Sequence, residues 1–190
     1  MKTADFIQVP VRGAEMWPLS LEAYHTLGEA GLIPERTELL YGVVFHKMSK
    51  SPYHSFLVQL LQELLYRIIP SGFIVRTEQP LTGVDSEPEP DLAVVRGDKA
   101  DFRLSHPHGA ELVIEVCVTS IEYDRSKLRA YAGAGVKECW LVLRPEKLVE
   151  VYRKPEGSAF GEHTVHGPGG RLTSSAFSNF SVDLTSLFSQ

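Results

Sequence analysis

Hydrophobic positions along the chain follow two different periods. In PYHSFLVQLLQELLYRIIP, residues 52–70, Phe56, Leu57, Leu60, Leu61, Leu64, Leu65 and Ile68 recur at helical spacing. Pro52 suits the first turn, and Pro70 and Gly72 mark the end. One broad face of this helix must be buried against a sheet or a partner. A shorter helix is predicted over 21–30, capped by Ser20 and ended by Gly31. Another is predicted over about 124–134, ended by Gly133 and Gly135, and a small one in VDLTSLF, capped by Asp183.

The remaining apolar runs are short and read as strands. ELLYGVVFHKM, residues 38–48, reads as two strands turning near Gly42. FIVRTEQPL (73–81), DLAVV from Asp91, and ELVIEVCV (111–118) follow. ECWLVL and KLVEVYR form a hairpin around Arg144-Pro145-Glu146. Residues 97–110 read as a loop, and so does 155–171, interrupted by a short EHTV strand. Strands and helices mixed in this order, with hydrophobic central strands, predict an α/β fold (an α+β mixed sheet) with helices on both faces. No internal repeat or linker divides residues 1–190, so one domain is expected.

One residue breaks the pattern. Glu115 stands in the middle of ELVIEVCV, on the same strand face as Val113 and Cys117, while Leu112, Ile114, Val116 and Val118 fill the other. A buried strand excludes an unpaired charge. Glu115 therefore either pairs with a buried arginine or lysine, or a divalent cation keeps it ionised. Asp91 opens the preceding strand after Pro88-Glu89-Pro90, and a neighbouring strand would bring it within reach of the same ion. Carboxylates and water are what magnesium prefers. In YDRSKLRAY, Asp124, Lys127 and Tyr131 share a helix face, and Arg125 and Arg129 form a second stripe. If this helix packs beside strand 112–118, Lys127 returns toward Glu115, where it would orient a water nucleophile or stabilise phosphate charge. The plain alternative is an Asp124–Lys127 surface pair beside a solvated arginine stripe.

Composition narrows the setting. The formal charge of -5 over 190 residues gives no support to broad nonspecific nucleic-acid binding. No run is apolar enough to span a bilayer, and MKTADFIQVPVRGAEMW lacks the apolar core of an export signal, so a cytoplasmic protein is expected. Cys117 and Cys139 read as buried thiols in strands and form no zinc pattern. There is no glycine-rich phosphate loop, no HExxH and no nucleophile elbow.

Taken in order, ELLYGVVFHKM, the helix opening SPYHSFLVQLL, PEPDLAVV and ELVIEVCVTSIEYDRSKLRAYAGAGVKECWLV resemble the Uma2 family, within the PD-(D/E)XK restriction-endonuclease-like superfamily. The resemblance implies a central sheet carrying a metal site that hydrolyses phosphodiesters. Asp91 takes the place of the Pro-Asp acid and Glu115 that of the second acid, both as ligands of Mg2+ or Mn2+. The superfamily lysine usually stands two residues after that acid, which here is Cys117. Uma2-like proteins place it on the following helix, where Lys127 matches. Glu38 is implied as an outer carboxylate acting through water, with Glu78 a further outer candidate, and His54 matches a helix-start histidine. Arg125, Arg129 and Lys137 are candidates for contacts with backbone phosphate. Tyr41 replaces an aspartate in the family's turn, and Thr119-Ser120 replaces Ser-Pro. The implied activity is that of a Mg- or Mn-dependent endonuclease acting on DNA, in a homodimer. The competing expectation is a noncatalytic nucleic-acid-binding or structural homodimer on the same fold.

Overall fold

A computed structural model describes residues 16–189. The export-signal reading of the chain's start falls largely outside the described residues.

The elements run α1 (Leu21–Glu29), β1 (Thr37–Leu40), β2 (Val43–His46), α2 (Pro52–Tyr66), β3 (Phe73–Thr77), β4 (Leu92–Arg96), β5 (Leu112–Cys117), α3 (Ile121–Ser126), α4 (Leu128–Gly133), β6 (Glu138–Leu143), β7 (Leu148–Glu156), β8 (Ala159–His166), β9 (Arg171–Thr173), β10 (Ser181–Asp183) and α5 (Leu184–Phe188). Six strands form the central sheet in the order β3-β4-β5-β6-β7-β8. Only β5 and β6 pair in parallel, joined across one face by α3 and α4. The expected mixed sheet with flanking helices is what the chain forms.

The period-2 alternation of β5 sorts the core into two layers. Leu112, Ile114 and Val116 pack against Leu57, Val58, Leu61 and Leu65 of α2 and against Phe177, Phe180 and Leu187 near the C-terminus. Val113 and Cys117 face the opposite layer with Tyr131, Val136, Cys139 and Leu141. The two thiols are free and buried. Val113 pairs with Cys139 and Cys117 with Leu143, which sets the cysteines four residues apart along adjacent strands.

Three boundaries depart from the sequence reading. The strand from Phe73 ends at Thr77, because Glu78 adopts a left-handed φ of 52° and turns the chain before Pro80. The stretch from Pro155 is not a loop: β7 and β8 form a long hairpin turning at Gly157, φ 62°. Pro155 is tolerated because β6 pairs β7 only as far as Arg153, beyond which β8 is its one neighbour.

The third departure shapes the site. The predicted helix over 124–134 begins earlier, at Ile121, and is broken at Lys127. Tyr41 causes the break. Its hydroxyl donates to the Ser126 carbonyl and accepts from the Ala130 N–H at 3.1 Å. Those are the two groups that a continuous helix would bond to each other. Tyr41 sits in the β1–β2 turn at φ 57°, a conformation that costs a bulky residue about 1–2 kcal/mol. The two hydrogen bonds, one of them buried, offset that cost.

The Tyr41→Phe variant therefore tests the insertion. It should lose about 1 kcal/mol of stability in urea denaturation without a change of m-value. A gain in stability would mean that the inserted hydroxyl is a net strain.

Candidate active site

The register of the sheet brings the two acids together. Leu92 pairs with Ile114 in the antiparallel β4–β5 ladder, so Asp91 and Glu115 are the next step along it. Each carboxylate then holds the other's strand. Asp91 N–H donates to Glu115 Oε2 at 3.2 Å, and Val116 N–H donates to Asp91 Oδ2 at 2.8 Å. Both side chains are almost fully buried. They line a cavity of about 340 Å³.

Lys127 enters from the break between α3 and α4. Its ammonium lies 3.2 Å from Glu115 Oε1, 3.3 Å from Glu38 Oε1 and 3.9 Å from Asp124 Oδ1. Tyr131, one turn further on, donates its hydroxyl to Glu115 Oε1. The face predicted to carry Asp124, Lys127 and Tyr131 thus does turn toward Glu115. The surface-pair alternative for Lys127 fails, since only 6% of its side chain is exposed. Glu38 contacts Lys127 directly, and Tyr123 donates to it at 2.6 Å. Glu38 also accepts from Glu89 N–H at 3.0 Å, fixing the acidic segment to β1.

Asp91 has two further partners. His54 Nε2 lies 3.0 Å from Oδ2, and Lys50 Nζ lies 2.9 Å from Oδ1. Ser51 caps α2 by accepting from His54 N–H, which holds the histidine in the first turn. Lys50 and Lys47 come from the short loop between β2 and α2, and Lys47 pairs with Glu89 at 2.6 Å. The sequence reading passed over both lysines. Their only signal was two cations flanking Met48-Ser49 just before a helix cap, a pattern common on solvated loops.

Other candidates stand elsewhere. Arg125 makes two hydrogen bonds to Glu150 and another to Glu122. Lys137 pairs with Glu111. Arg129 stacks on Tyr41, its guanidinium 4.6 Å from the ring centre. None of the three lines the cavity. Cys117 is kept a neutral thiol by burial and by nearby acids, so it offers neither the positive charge of the superfamily lysine nor a thiolate.

The electrostatics follow from the count of charges. Five carboxylates (Glu38, Glu89, Asp91, Glu115 and Asp124) line the cavity against three lysines, Lys47, Lys50 and Lys127. Burial opposes the charge of Asp91, but the His54 hydrogen bond, the Lys50 charge and the Val116 N–H outweigh it and lower its pKa to about 2. Glu115 goes the other way. Burial dominates, Lys127 only partly offsets it, and Asp91 and Asp124 add repulsion, so its pKa is raised to about 8. Burial opposes the charge of Lys127 too, but the acids around it raise its pKa well above the usual value. One ammonium shared among three carboxylates stays charged while one of the acids takes up a proton.

A divalent cation fits this donor set. Once Glu115 gives up its proton, the five carboxylates exceed the three lysines by two charges, which a divalent cation would balance. His54, on the cavity wall, also has a buried Nδ1 without a hydrogen-bond partner among the described residues. Among the described residues no three His, Cys, Asp or Glu side chains form a ready cage. Two carboxylates completed by water and substrate oxygens is the usual manner of magnesium, whereas a structural zinc needs four protein ligands.

A family model described as "Uma2: Putative restriction endonuclease" matches residues 21–185. No curated protein matches the sequence. The fold is similar to the crystal structure of "a putative nuclease belonging to DUF820" from Anabaena variabilis ATCC 29413, with a TM-score of 0.74 at 19% identity, covering 90% of this chain and 98% of the other. No helix among the described residues is long and apolar enough to cross a membrane.

The proton on Glu115 gives a test in chelator, without metal. The unfolded carboxyl titrates near 4.5 and the folded one near 8. The stabilisation is therefore complete below about pH 4.5 and is lost as pH rises through about 8. Relative to Glu115→Gln, wild-type stability should fall with pH across this window, by up to about 1.4 kcal/mol per unit. Urea denaturation at pH 5.5, 6.5, 7.5 and 8.5 measures the difference, and parallel curves would mean that Glu115 stays ionised.

Proposed function

The chain belongs to the Uma2 family, and we propose from this membership and from its cavity that it is a Mg- or Mn-dependent endonuclease hydrolysing DNA phosphodiester bonds. The observation that carries the reading is the convergence of Asp91, Glu115 and Lys127 in one buried cavity. Asp91 and Glu115 would hold the ion. When bound, it neutralises the phosphate and acidifies water.

The protein's own groups divide the remaining work. Lys127, kept protonated by Glu38, Glu115 and Asp124, is a donor and not a proton acceptor. Its role is to orient water or to stabilise charge growing on the phosphate oxygens. Tyr131 and the Asp91 N–H hold Glu115 in one rotamer, and His54 and the Val116 N–H do the same for Asp91. Preorganisation of this kind removes the reorganisation that flexible carboxylates would need. Glu38 supports the site by fixing Lys127 and the Glu89 backbone.

One observation favours a noncatalytic reading. Every oxygen of Asp91 and Glu115 already has a partner within the chain. The same network would then serve stability alone, on a nucleic-acid-binding or structural homodimer.

Cleavage assays separate the two readings. With Mn2+, wild-type protein should cut DNA, and Asp91→Asn and Glu115→Gln should each reduce the rate by about 100-fold or more. Lys127→Met should lose about 10- to 1000-fold. No metal-dependent cleavage by folded wild type across duplex, branched and single-stranded DNA would favour the noncatalytic reading.

A further inference from the structure

Lys50 holds a place that the proposed metal would need. Its ammonium lies 2.9 Å from Asp91 Oδ1 and 2.9 Å from Glu78 Oε1. Asp91 Oδ2 is already committed to the Val116 N–H and to His54, which leaves Oδ1 as the oxygen to offer an ion. Lys50 therefore sits on the available oxygen.

The setting is that of a displaceable group. The Asp91 side chain is 8% exposed, whereas Lys50 is 28% and Glu78 44% exposed, so the lysine bridges a buried acid and a solvated one. It stands in the loop between β2 and α2, outside both elements. Glu78 is brought there by strain. Its φ of 52° is disfavoured for glutamate, and its N–H donates to the Asp91 carbonyl at 3.1 Å, fixing the two acids beside each other. A buried carboxylate left without a partner is costly, so without metal Asp91 needs a cation from the chain. The more exposed Glu78 offers that cation a second position.

Resting on the metal-dependent reading above, we propose that Lys50 is a built-in counter-ion of Asp91 that a divalent cation displaces onto Glu78. Lys50 is thus a positioning residue that sets the metal concentration at which the site fills. No bond is made or broken; the bridging ammonium gives up Asp91 and keeps Glu78.

Titration calorimetry with Mn2+ alone tests this, on variants whose thermal melts show them folded. Lys50→Met keeps the aliphatic stem and removes the competing charge. It should bind Mn2+ roughly tenfold more tightly than wild type. Glu78→Gln takes away the second position and should weaken binding several-fold in wild type, yet have no effect in the Lys50→Met background. Unchanged or weaker binding in Lys50→Met overturns the proposal, as does an equal loss from Glu78→Gln in both backgrounds, which would make Glu78 a ligand. Asp91→Asn separates the two levels of inference. If it abolishes binding while Lys50→Met changes nothing, only the counter-ion role fails. If Asp91→Asn binds as wild type does, the ion sits elsewhere and the metal reading fails with it.

Discussion

Glu115 lies on a strand whose two faces are both core, and its carboxylate must be matched where it stands. Much of the surrounding structure answers to that requirement. Lys127 supplies charge, Tyr131 a hydroxyl and Asp91 a backbone N–H. The match is incomplete, because Lys127 is shared with Glu38 and Asp124. A residue kept only for stability would be replaced at little cost by an apolar one of similar volume. A partly matched acid beside a second acid in a cavity is better explained by a ligand that completes the balance.

The position of Lys127 depends on a contact far away in sequence. The β1–β2 turn sends Tyr41 into the helix that follows β5, and the break it makes lies at Lys127. The same hairpin supplies Glu38 to Lys127 and to the Glu89 backbone. It is also bound to the acidic segment through the Leu39–Glu87 bridge. The hairpin is thus a brace that fixes the lysine and the approach to Asp91 together. An aspartate in this turn would tolerate the left-handed backbone but lacks the reach to enter the helix.

Period and punctuation made much of this legible in the sequence. The alternation of ELVIEVCV placed Glu115 on the face of Val113 and Cys117, and the spacing of Asp124, Lys127 and Tyr131 gave their shared direction. What escaped depended on long-range geometry. Nothing local says that a tyrosine hydroxyl will enter a helix more than eighty residues later, or that Glu78 will take a positive φ. The β7–β8 hairpin was hidden by glycine and proline, whose effect depends on whether a strand has one neighbour or two. Lys47 and Lys50 carried no pattern, since a loop lysine gains meaning only from the acids it meets.

The noncatalytic reading draws its strength from the satisfied oxygens of Asp91 and Glu115, and the kinds of partner weigh on that argument. The partners of Glu115 are buried and rigid: a lysine with 6% of its side chain exposed, a tyrosine in the core and a backbone amide. Asp91 Oδ2 is held the same way. Oδ1 differs, because among the described residues its partner is a lysine on a loop with a second acid beside it. A network evolved only to neutralise charge has no need to leave one carboxylate oxygen to a partly exposed lysine on a loop. A site that must admit an ion needs one partner able to leave, and Lys50 is the one so placed.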